Sequence, residues 1–391
     1  MRTITALSPT SVSLYNRSPD LWYLRYCAEH RLPRQNQTRP ASAGSAFDAL
    51  IKAKLWQEYN FPAQDDDHPY AARTLLAAQV EPHNLEWATA AGVNCLQQYI
   101  RCGALADLML LAREPPQFEF QLRQLVELDG VSVPIYGIPD MSFYVAGTLV
   151  ILDWKVTGYC AHSVTSPAPG YLICRDGWDH AYRLPTRSHR KRHKDANITQ
   201  DSGITITDYV LEQSNPVWAL QLATYAWLLG VEPGSTDYIT AVDQLCGVPD
   251  ACKDHPDVRV ASYRAKISKG FQETVIGYYS QCWLAYQSGH IFLTESRSAS
   301  NDRVAFLENL VEILMTGDPD SQEFLAAVDY LSGKDVYDAK RDYRADVIIA
   351  RRAGGETGLP DPDDYTGVAA RNKATTRAGL IDLGSVCPGN S

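Results

Sequence analysis

The spacing of apolar residues changes near residue 117, and this change separates a helical part of the chain from a strand-rich part. Upstream, apolar side chains at positions 47, 50, 51 and 55 recur at helical intervals and predict a helix over 43–59. The same periodicity over 73–113 predicts two or three more helices. The first third of the chain is therefore predicted to be helical.

From Gln117 onward, apolar residues alternate with polar ones, as they do in half-buried strands. Two turn signals, Asp129-Gly130 and the weaker Ala146-Gly147, divide this part into three predicted strands. These strands cover 117–128, 131–145 and 149–155. The remaining predicted elements are a helix over 216–229, one or two strands within 235–265, and helices over 270–287 and 302–333.

Composition and charge narrow the class of protein. Of 391 residues, 45% are hydrophobic and 21% are charged, which matches a soluble globular protein and excludes global disorder. The chain is long enough for one large domain or two ordinary ones. Its formal net charge of −10 argues against a protein that coats nucleic acid nonspecifically, which would be basic. An enzyme of nucleic acids is still allowed, because metal-binding carboxylates add negative charge and a local basic patch can hold phosphates.

Two further features bear on where the protein works. The longest apolar runs, over 148–152 and 223–229, are far shorter than the ~20 residues of a membrane span, and the first five residues contain no apolar signal region. The nine cysteines are odd in number and include no C-x-x-C pair, which favours free thiols in a reducing compartment. We therefore expect a cytoplasmic protein, cellular or phage-encoded, without a membrane partner.

The two turns predict which side chains of the three strands face one another. In a two-residue hairpin the flanking residues pair directly, so the first turn brings Glu119 opposite Asp140. The second turn brings Asp140 opposite Asp153 in the same way. Directly paired residues project from one face of a sheet, and Lys155, two residues after Asp153, projects from that face as well.

Three carboxylates in one row repel one another, and a hard cation such as Mg²⁺ would relieve this repulsion. The alternative is an ordinary antiparallel sheet whose polar side chains face solvent. The strand over 149–152 is apolar on both faces and is therefore predicted to be buried, and Asp153-Trp154-Lys155 follows it directly. Charges at the end of a buried strand favour a metal site over a solvated surface.

These residues carry a resemblance to a known family. Gly137-Ile138-Pro139-Asp140 followed by Asp153-Trp154-Lys155 resembles the signature of PD-(D/E)XK nucleases. The segment Gln221-Leu222-Ala223-Thr224-Tyr225 is similar to the Q-x-x-x-Y motif of the RecB-type, exonuclease-like branch. Residues 8–26 resemble the N-terminal helix of that branch, and Gly44-Ser45-Ala46-Phe47-Asp48 lies where the branch has Gly-x-x-x-His, with Asp48 in place of the histidine. Together these motifs span residues 8–230 in the expected order.

The resemblance implies an α/β fold with a restriction-endonuclease-like core, in which helices flank a central mixed β-sheet. A helical N-terminal cap and a C-terminal helical extension would complete it. The expected divisions are a nuclease-like domain over 1–295 with a polar, basic insertion at 158–210, a helical extension over 296–353, and an extended or disordered tail over 354–391.

The resemblance also implies a deoxyribonuclease that hydrolyses phosphodiester bonds with Mg²⁺ or Mn²⁺, exonuclease-like, in DNA repair, recombination or phage DNA processing. Asp140 and Asp153, with Asp48, would hold the metal. Lys155 would orient or deprotonate the attacking water and stabilise charge on the phosphate. The implied catalytic set is therefore Asp140, Asp153 and Lys155, and Glu119 either supports the metal ligands or is structural.

Two groups of residues are expected to bind the substrate. Gln221 and Tyr225 lie one helical turn apart and share a face, so they either border the active site or edge an ordinary packed helix. A basic cluster in the insertion is expected to contact DNA, although a solvated loop is the usual explanation for such a run. The cluster consists of Arg187, Arg190, Lys191, Arg192 and Lys194.

Other features limit the cofactors and partners. Some relatives carry an iron–sulfur cluster, but this chain lacks their C-terminal cysteine trio, so no cluster is expected. It also lacks a Walker A motif, so a helicase or recombination protein would act in trans. Two alternatives stay open: a catalytically silent nucleic-acid-binding or assembly protein that keeps the fold, and an interaction protein whose D-x-K match is accidental.

Overall fold

The computed structural model describes residues 1–29, 36–59, 69–114, 116–118, 121–176 and 198–334. The α-helices in these segments are α1 (Pro9–Arg17), α2 (Pro19–Trp22), α3 (Arg39–Glu58), α4 (Ala72–Gln79), α5 (Leu85–Arg101), α6 (Ala104–Leu111), α7 (Leu211–Ser214), α8 (Pro216–Leu228), α9 (Lys269–Ser288), α10 (Arg297–Thr316) and α11 (Gln322–Lys334). The strands are β1 (Gln117–Phe118), β2 (Leu122–Leu128), β3 (Val131–Gly137), β4 (Met141–Val145), β5 (Thr148–Thr157), β6 (Ile173–Asp176), β7 (Ile198–Asp201), β8 (Ile204–Thr207), β9 (Tyr238–Val248) and β10 (Asp257–Ala265).

The described residues fall into two compact units, and the chain passes between them more than once. The first unit comprises the described residues within Met1–Asn36, Arg123–Tyr136 and Glu273–Gly367. The second unit comprises Gln37–Leu122 and Gly137–Gln272. All the described residues that the motifs single out as catalytic or metal-binding belong to the second unit.

In the first unit, strands β2 and β3 form a two-stranded sheet around the predicted Asp129-Gly130 turn. Both turn residues have positive φ, 50° and 74°, as a type I′ hairpin turn requires. Ser8 is the N-cap residue of helix α1, and its side chain forms a reciprocal capping pair with Ser11. N- and C-terminal segments meet within this unit, because the Tyr23 hydroxyl donates a hydrogen bond to Glu308 over 2.6 Å.

The second unit is built on a six-stranded sheet in the order β1-β4-β5-β9-β10-β6. The β5–β9 pair is parallel and the other pairs given for this sheet are antiparallel, so the sheet is mixed. Helices α3 and α8 pack on β5, and α5 packs on β10. The predicted α/β fold, with a mixed central sheet flanked by helices, is confirmed.

The core of this unit lies between the sheet and helices α3 and α5. Phe47 of α3 and Tyr99 of α5 are fully buried, with ring centroids 5.7 Å apart in an edge-to-face arrangement. Leu152 and Trp154 of β5 belong to the same apolar cluster. Trp154 therefore projects toward α5, and its strand neighbours Asp153 and Lys155 project from the opposite face of the sheet.

The prediction of three consecutive strands in one sheet is wrong. The chain from 131 to 145 forms two strands, β3 and β4, which lie in different sheets. Pro139 lies in the break between them, and proline both lacks an amide hydrogen and restricts the residue before it. The chain from 117 to 128 is likewise divided into β1 and β2.

The predicted pairing of residues around β4 is nevertheless confirmed for the pairs that the structure describes. Val145 pairs with Thr148 and Met141 pairs with Leu152, as the second turn implies. Strand β1 pairs with β4 so that Phe118 lies opposite Met141, which is the register that the first turn implied for an unbroken hairpin. Glu119 itself lies outside the described residues.

The polar segment after β5 contains more structure than its composition indicates. Strand β6 pairs with β10 at one edge of the sheet, and β7 and β8 form a separate hairpin. The basic cluster over 187–194 and the tail over 354–391 lie outside the described residues. None of the described helices is both long and apolar enough to cross a membrane.

Candidate active site

Strand β5 carries the residues at the centre of the candidate site. Residues 149–152 are buried on both faces, because β5 lies between β4 and β9 and helices cover both sides. Asp153 is only 1% exposed, whereas the Lys155 side chain is 24% exposed and reaches the surface of the unit. Strand β5 therefore places the Asp153 carboxylate in the interior and the Lys155 ammonium near the surface, and both side chains project from the same face of the sheet.

Asp140 joins Asp153 through the pairing of β4 with β5. It directly precedes β4, next to the Met141–Leu152 pair, and its Oδ2 accepts a hydrogen bond from the Trp154 backbone nitrogen over 3.1 Å. The structure therefore brings together Asp140, Asp153 and Lys155, the residues of the predicted catalytic set.

Helix α8 contributes the polar residues that contact both charges of the D-x-K motif. Lys155 Nζ forms an ion pair with Asp153 Oδ2 and donates a hydrogen bond to Gln221 Oε1 over 3.1 Å. The amide nitrogen of Gln221 donates to Asp153 Oδ1 over 3.2 Å and to the Tyr225 hydroxyl over 2.9 Å. The face that carries Gln221 and Tyr225 therefore borders the site.

A glycine allows α8 to approach this closely. A Cβ atom on Gly137 would lie 2.7 Å from Cε1 of Tyr225 and 2.8 Å from Cδ1 of Leu228, which is too close for any side chain. The first residue of the Gly137-Ile138-Pro139-Asp140 motif is thus required by packing, and the same approach places Tyr225 beside the carboxylates.

Helix α3 brings a second lysine to the site. Lys52 Nζ lies 2.6 Å from Asp48 Oδ2 and 3.8 Å from Asp140 Oδ1. Sequence reasoning selected Asp48 and missed Lys52, which is 1% exposed. The available signal was the i, i+4 spacing of an acid and a lysine on one predicted helix face, with Lys52 flanked by the apolar Ile51 and Ala53.

The crowding of carboxylates shifts the proton affinity of the site. Burial, followed by the nearby Asp140 charge, raises the pKa of Asp153 to about 8, although Lys155 acts in the opposite direction. Burial by itself would lower the pKa of Lys155, but the Asp153 and Asp140 charges outweigh it and raise that pKa. Burial and the same two carboxylates raise the pKa of Tyr225. The ionised form of Asp153 is therefore unfavourable in this site, and a bound cation would stabilise that form.

The donor set fits a hard divalent cation. Asp153 Oδ2 is in contact with the Lys155 ammonium, and Asp153 Oδ1 accepts a hydrogen bond from Gln221. Two adjacent carboxylates are ligands of the type that Mg²⁺ and Mn²⁺ prefer. Within the part of the chain that the structure describes, no group of three or more His, Cys, Asp or Glu side chains is arranged to hold a metal ion.

Comparison with known proteins agrees with this geometry. A model of the PD-(D/E)XK nuclease superfamily matches residues 6–166, a range that includes Asp48, Asp140, Asp153 and Lys155. This match supports assignment to the PD-(D/E)XK nuclease superfamily. The description of this family suggests a nuclease, and the mixed sheet is consistent with a restriction-endonuclease-like fold.

The PD-(D/E)XK match ends before α8, so only the structure brings Gln221 and Tyr225 to the site. A solved structure titled "Crystal structure of SSO0001" is 11% identical to this chain, and the match covers 70% of this chain and 86% of that one. Its TM-score of 0.23 is too low to support an argument about fold or function. No curated protein matches the chain.

Proposed function

We propose that the protein is a DNA nuclease that hydrolyses phosphodiester bonds with Mg²⁺ or Mn²⁺. The observation that carries this proposal is the juxtaposition of Asp140 with the buried Asp153, whose carboxylate also contacts the ammonium of Lys155. Hydrolysis of a phosphodiester needs an electrophile at a phosphate oxygen, an activated water and a cation near the developing charge. Asp140, Asp153 and Lys155 can meet these requirements together with one bound ion.

Each side chain has a defined role in this proposal. Asp140 and Asp153 would hold the ion, which would supply a Lewis acid and would lower the pKa of a water molecule bound to it. Lys155 orients the attacking water and neutralises negative charge on the phosphate. Gln221 keeps Lys155 and Asp153 in position, because it contacts the ammonium through its oxygen and the carboxylate through its nitrogen.

The proposed substrate is DNA, and three features favour a nucleic-acid strand at the site. Lys155 and Asp140 have side chains that are 24% and 22% exposed, so a phosphate can reach them from solvent. Gln221 and Tyr225 border the site, as in the RecB-type, exonuclease-like branch that the motif resembles. The sequence of the 158–210 insertion contains the five basic residues, and such residues neutralise the phosphates of a nucleic acid. A role in DNA repair, recombination or phage DNA processing, with a helicase or recombination partner in trans, extends this proposal.

The proposal is tested by cleavage of end-labelled linear DNA and of circular DNA with Mg²⁺, Mn²⁺ or EDTA. We expect metal-dependent cleavage by the wild type, with a loss of at least about 10³-fold in Asp153→Ala and Lys155→Ala. Lys54→Ala is the matched control, because Lys54 forms a partly exposed ion pair with Glu58 on α3. Cleavage of linear but not circular DNA would support an exonuclease.

Two other outcomes would reject a catalytic role. If the wild type binds DNA but cuts neither form, the protein is a silent binder or assembly factor that keeps the nuclease fold. If it neither cuts nor binds DNA, with RNA of the same length also left intact, the family match does not predict its function.

A further inference from the structure

Lys52 places a buried positive charge between two carboxylates of the candidate site. Its ammonium nitrogen lies 2.6 Å from Asp48 Oδ2 and 3.8 Å from Asp140 Oδ1, and the residue is 1% exposed. A buried ammonium is costly unless carboxylates and hydrogen bonds compensate for its lost hydration. Asp48 and Asp140 supply two such carboxylates, so the position of Lys52 is tied to the site.

The contrast with a neighbouring ion pair on the same helix shows that this arrangement is unusual. Lys54 and Glu58 also lie at i, i+4 positions on α3, with side chains 33% and 36% exposed. Such surface pairs stabilise a helix only weakly. The Lys52 side chain is 2% exposed, and it contacts a carboxylate on a different element as well as the one on its own helix.

The two oxygens of Asp140 have different surroundings. Oδ1 faces the Lys52 ammonium at 3.8 Å, and Oδ2 accepts the hydrogen bond from the Trp154 backbone nitrogen. The two ions of a two-metal centre lie about 3.5–4 Å apart, so a second ion would have to be a close neighbour of the first. A second ion shared by Asp48 and Asp140 would have to lie between these two carboxylates, where the Lys52 ammonium is located.

We propose that Lys52 is the resident cation of this site and takes the place of a second divalent ion. The centre then holds one ion, bound by Asp140 and Asp153, and Asp48 acts on it through Lys52 instead of as a ligand. Lys52 is thus a positioning residue that sets the number of metal ions. This inference rests on the proposed function, because it concerns the same metal site.

The test is the number of Mn²⁺ ions bound by the full chain without DNA, measured by calorimetric titration and by the EPR signal of free Mn²⁺. We expect one ion in the wild type and two in Lys52→Met, because removal of the ammonium leaves Asp48 and Asp140 to bind the second. Lys54→Met is the matched control and keeps one ion. The double variant Lys52→Met with Asp48→Asn returns to one ion.

A second variant keeps the inference testable if Lys52→Met fails to fold. Asp48→Asn retains the ammonium, and we expect it to bind one Mn²⁺ with an affinity reduced by no more than about 100-fold, the range typical of a residue behind the metal ligands. A loss of Mn²⁺ affinity beyond that range would instead identify Asp48 as a direct metal ligand. Circular dichroism on each variant establishes that it is folded.

Failure of this inference and failure of the proposed function give different results. Two ions in the wild type, one ion in a folded Lys52→Met, or a loss of affinity greater than about 100-fold in Asp48→Asn would each overturn the role of Lys52 and leave a metal nuclease. A wild type that binds no Mn²⁺ and cleaves no DNA would instead reject the metal-dependent nuclease, and the role of Lys52 with it.

Discussion

Gln221 on α8 donates a hydrogen bond from its amide nitrogen to Asp153 Oδ1 on β5, over 3.2 Å. The amide oxygen of the same side chain accepts from Lys155 Nζ at 3.1 Å. One neutral side chain therefore contacts both the carboxylate and the ammonium of the D-x-K motif. An amide can do this because it carries a donor and an acceptor, whereas an ionised carboxylate only accepts and an ammonium only donates.

Replacement of Gln221 by leucine removes both contacts at similar volume. We expect the single-turnover cleavage rate to fall about 10–100-fold, because a small misplacement of reacting groups is costly. The DNA dissociation constant, measured in parallel with Ca²⁺ in place of Mg²⁺, should change little. Gln213→Leu, at an exposed position on α7, is the control. Weaker DNA binding with an unchanged cleavage rate would instead make Gln221 a substrate-binding residue.

The stability of the metal-free protein should fall as the pH rises. Asp153 has a pKa near 3.9 in an unfolded chain and about 8 in the folded one, so between these values the folded state binds more protons. The associated stabilisation is complete below about pH 4 and is lost as the pH approaches 8. Thermal melts in EDTA should show this slope, and Asp153→Asn should reduce it. An equal slope in the variant would contradict the prediction.

Metal binding should release a proton from the site near neutral pH. Asp153 is largely protonated at pH 7 when its pKa is about 8, and a carboxylate must be ionised to bind an ion. We expect calorimetric titrations of Mn²⁺ in buffers of different ionisation enthalpy to report close to one proton released per ion at pH 6.5. At pH 9.5 the release should approach zero. A buffer-independent enthalpy at both pH values would exclude this linkage.

Substitution of Gly137 by alanine should destabilise the second unit and disturb the site. The added methyl group would lie 2.7 Å from the ring of Tyr225, so the backbone at Gly137 and helix α8 would have to separate. We expect a loss of about 1–3 kcal/mol in urea unfolding, together with slower DNA cleavage. Gly44→Ala on α3 is the matched control, because its methyl group would meet Val156 at an ordinary 3.8 Å. Equal stability of the two variants would contradict the packing argument.

The buried ion pair of Asp243 with Arg264, on the other face of the sheet from Asp153, should stabilise the fold without contributing to the candidate site. Asp243 on β9 accepts hydrogen bonds from Arg264 and from the hydroxyl of Tyr99, on the face of the sheet opposite to Asp153. Removal of the carboxylate by Asp243→Ala leaves the buried Arg264 guanidinium without its counter-charge. We expect the free energy of unfolding to fall by about 3–5 kcal/mol. Tyr99→Phe should cost only about 1–2 kcal/mol. Urea unfolding of both variants measures the difference, and comparable losses would contradict this account.

Several parts of the molecule could be predicted from local sequence alone. The Ala146-Gly147 turn determines that Val145 pairs with Thr148, and this pairing carries Asp140 to Asp153. Helix α8 begins at Pro216 after Asn215, whose side chain caps the first backbone N–H groups, so its start is also locally encoded. The spacing of Gln221 and Tyr225 by one helical turn follows from the helix itself.

Other parts were decided only by tertiary structure. Strand β4 pairs with β1, and β2 pairs with β3 in a separate sheet, because the break around Pro139 ends one strand and allows the next to join a different sheet. Likewise, the Asp48-x-x-x-Lys52 spacing alone is equally compatible with a solvated pair such as Lys54 and Glu58. Burial of Lys52 beside Asp140 depends on how α3 packs against the sheet.

The physical reason lies in the range of the interactions. Turns, caps and residue periodicity depend on neighbouring residues, so the sequence alone determines the helices, most strands and the approach of Asp140 to Asp153. The contact of Gln221 with Asp153 joins residues 68 positions apart, and the contact of Lys52 with Asp140 joins two elements by packing. Such contacts depend on the fit of whole faces, which only the folded unit defines.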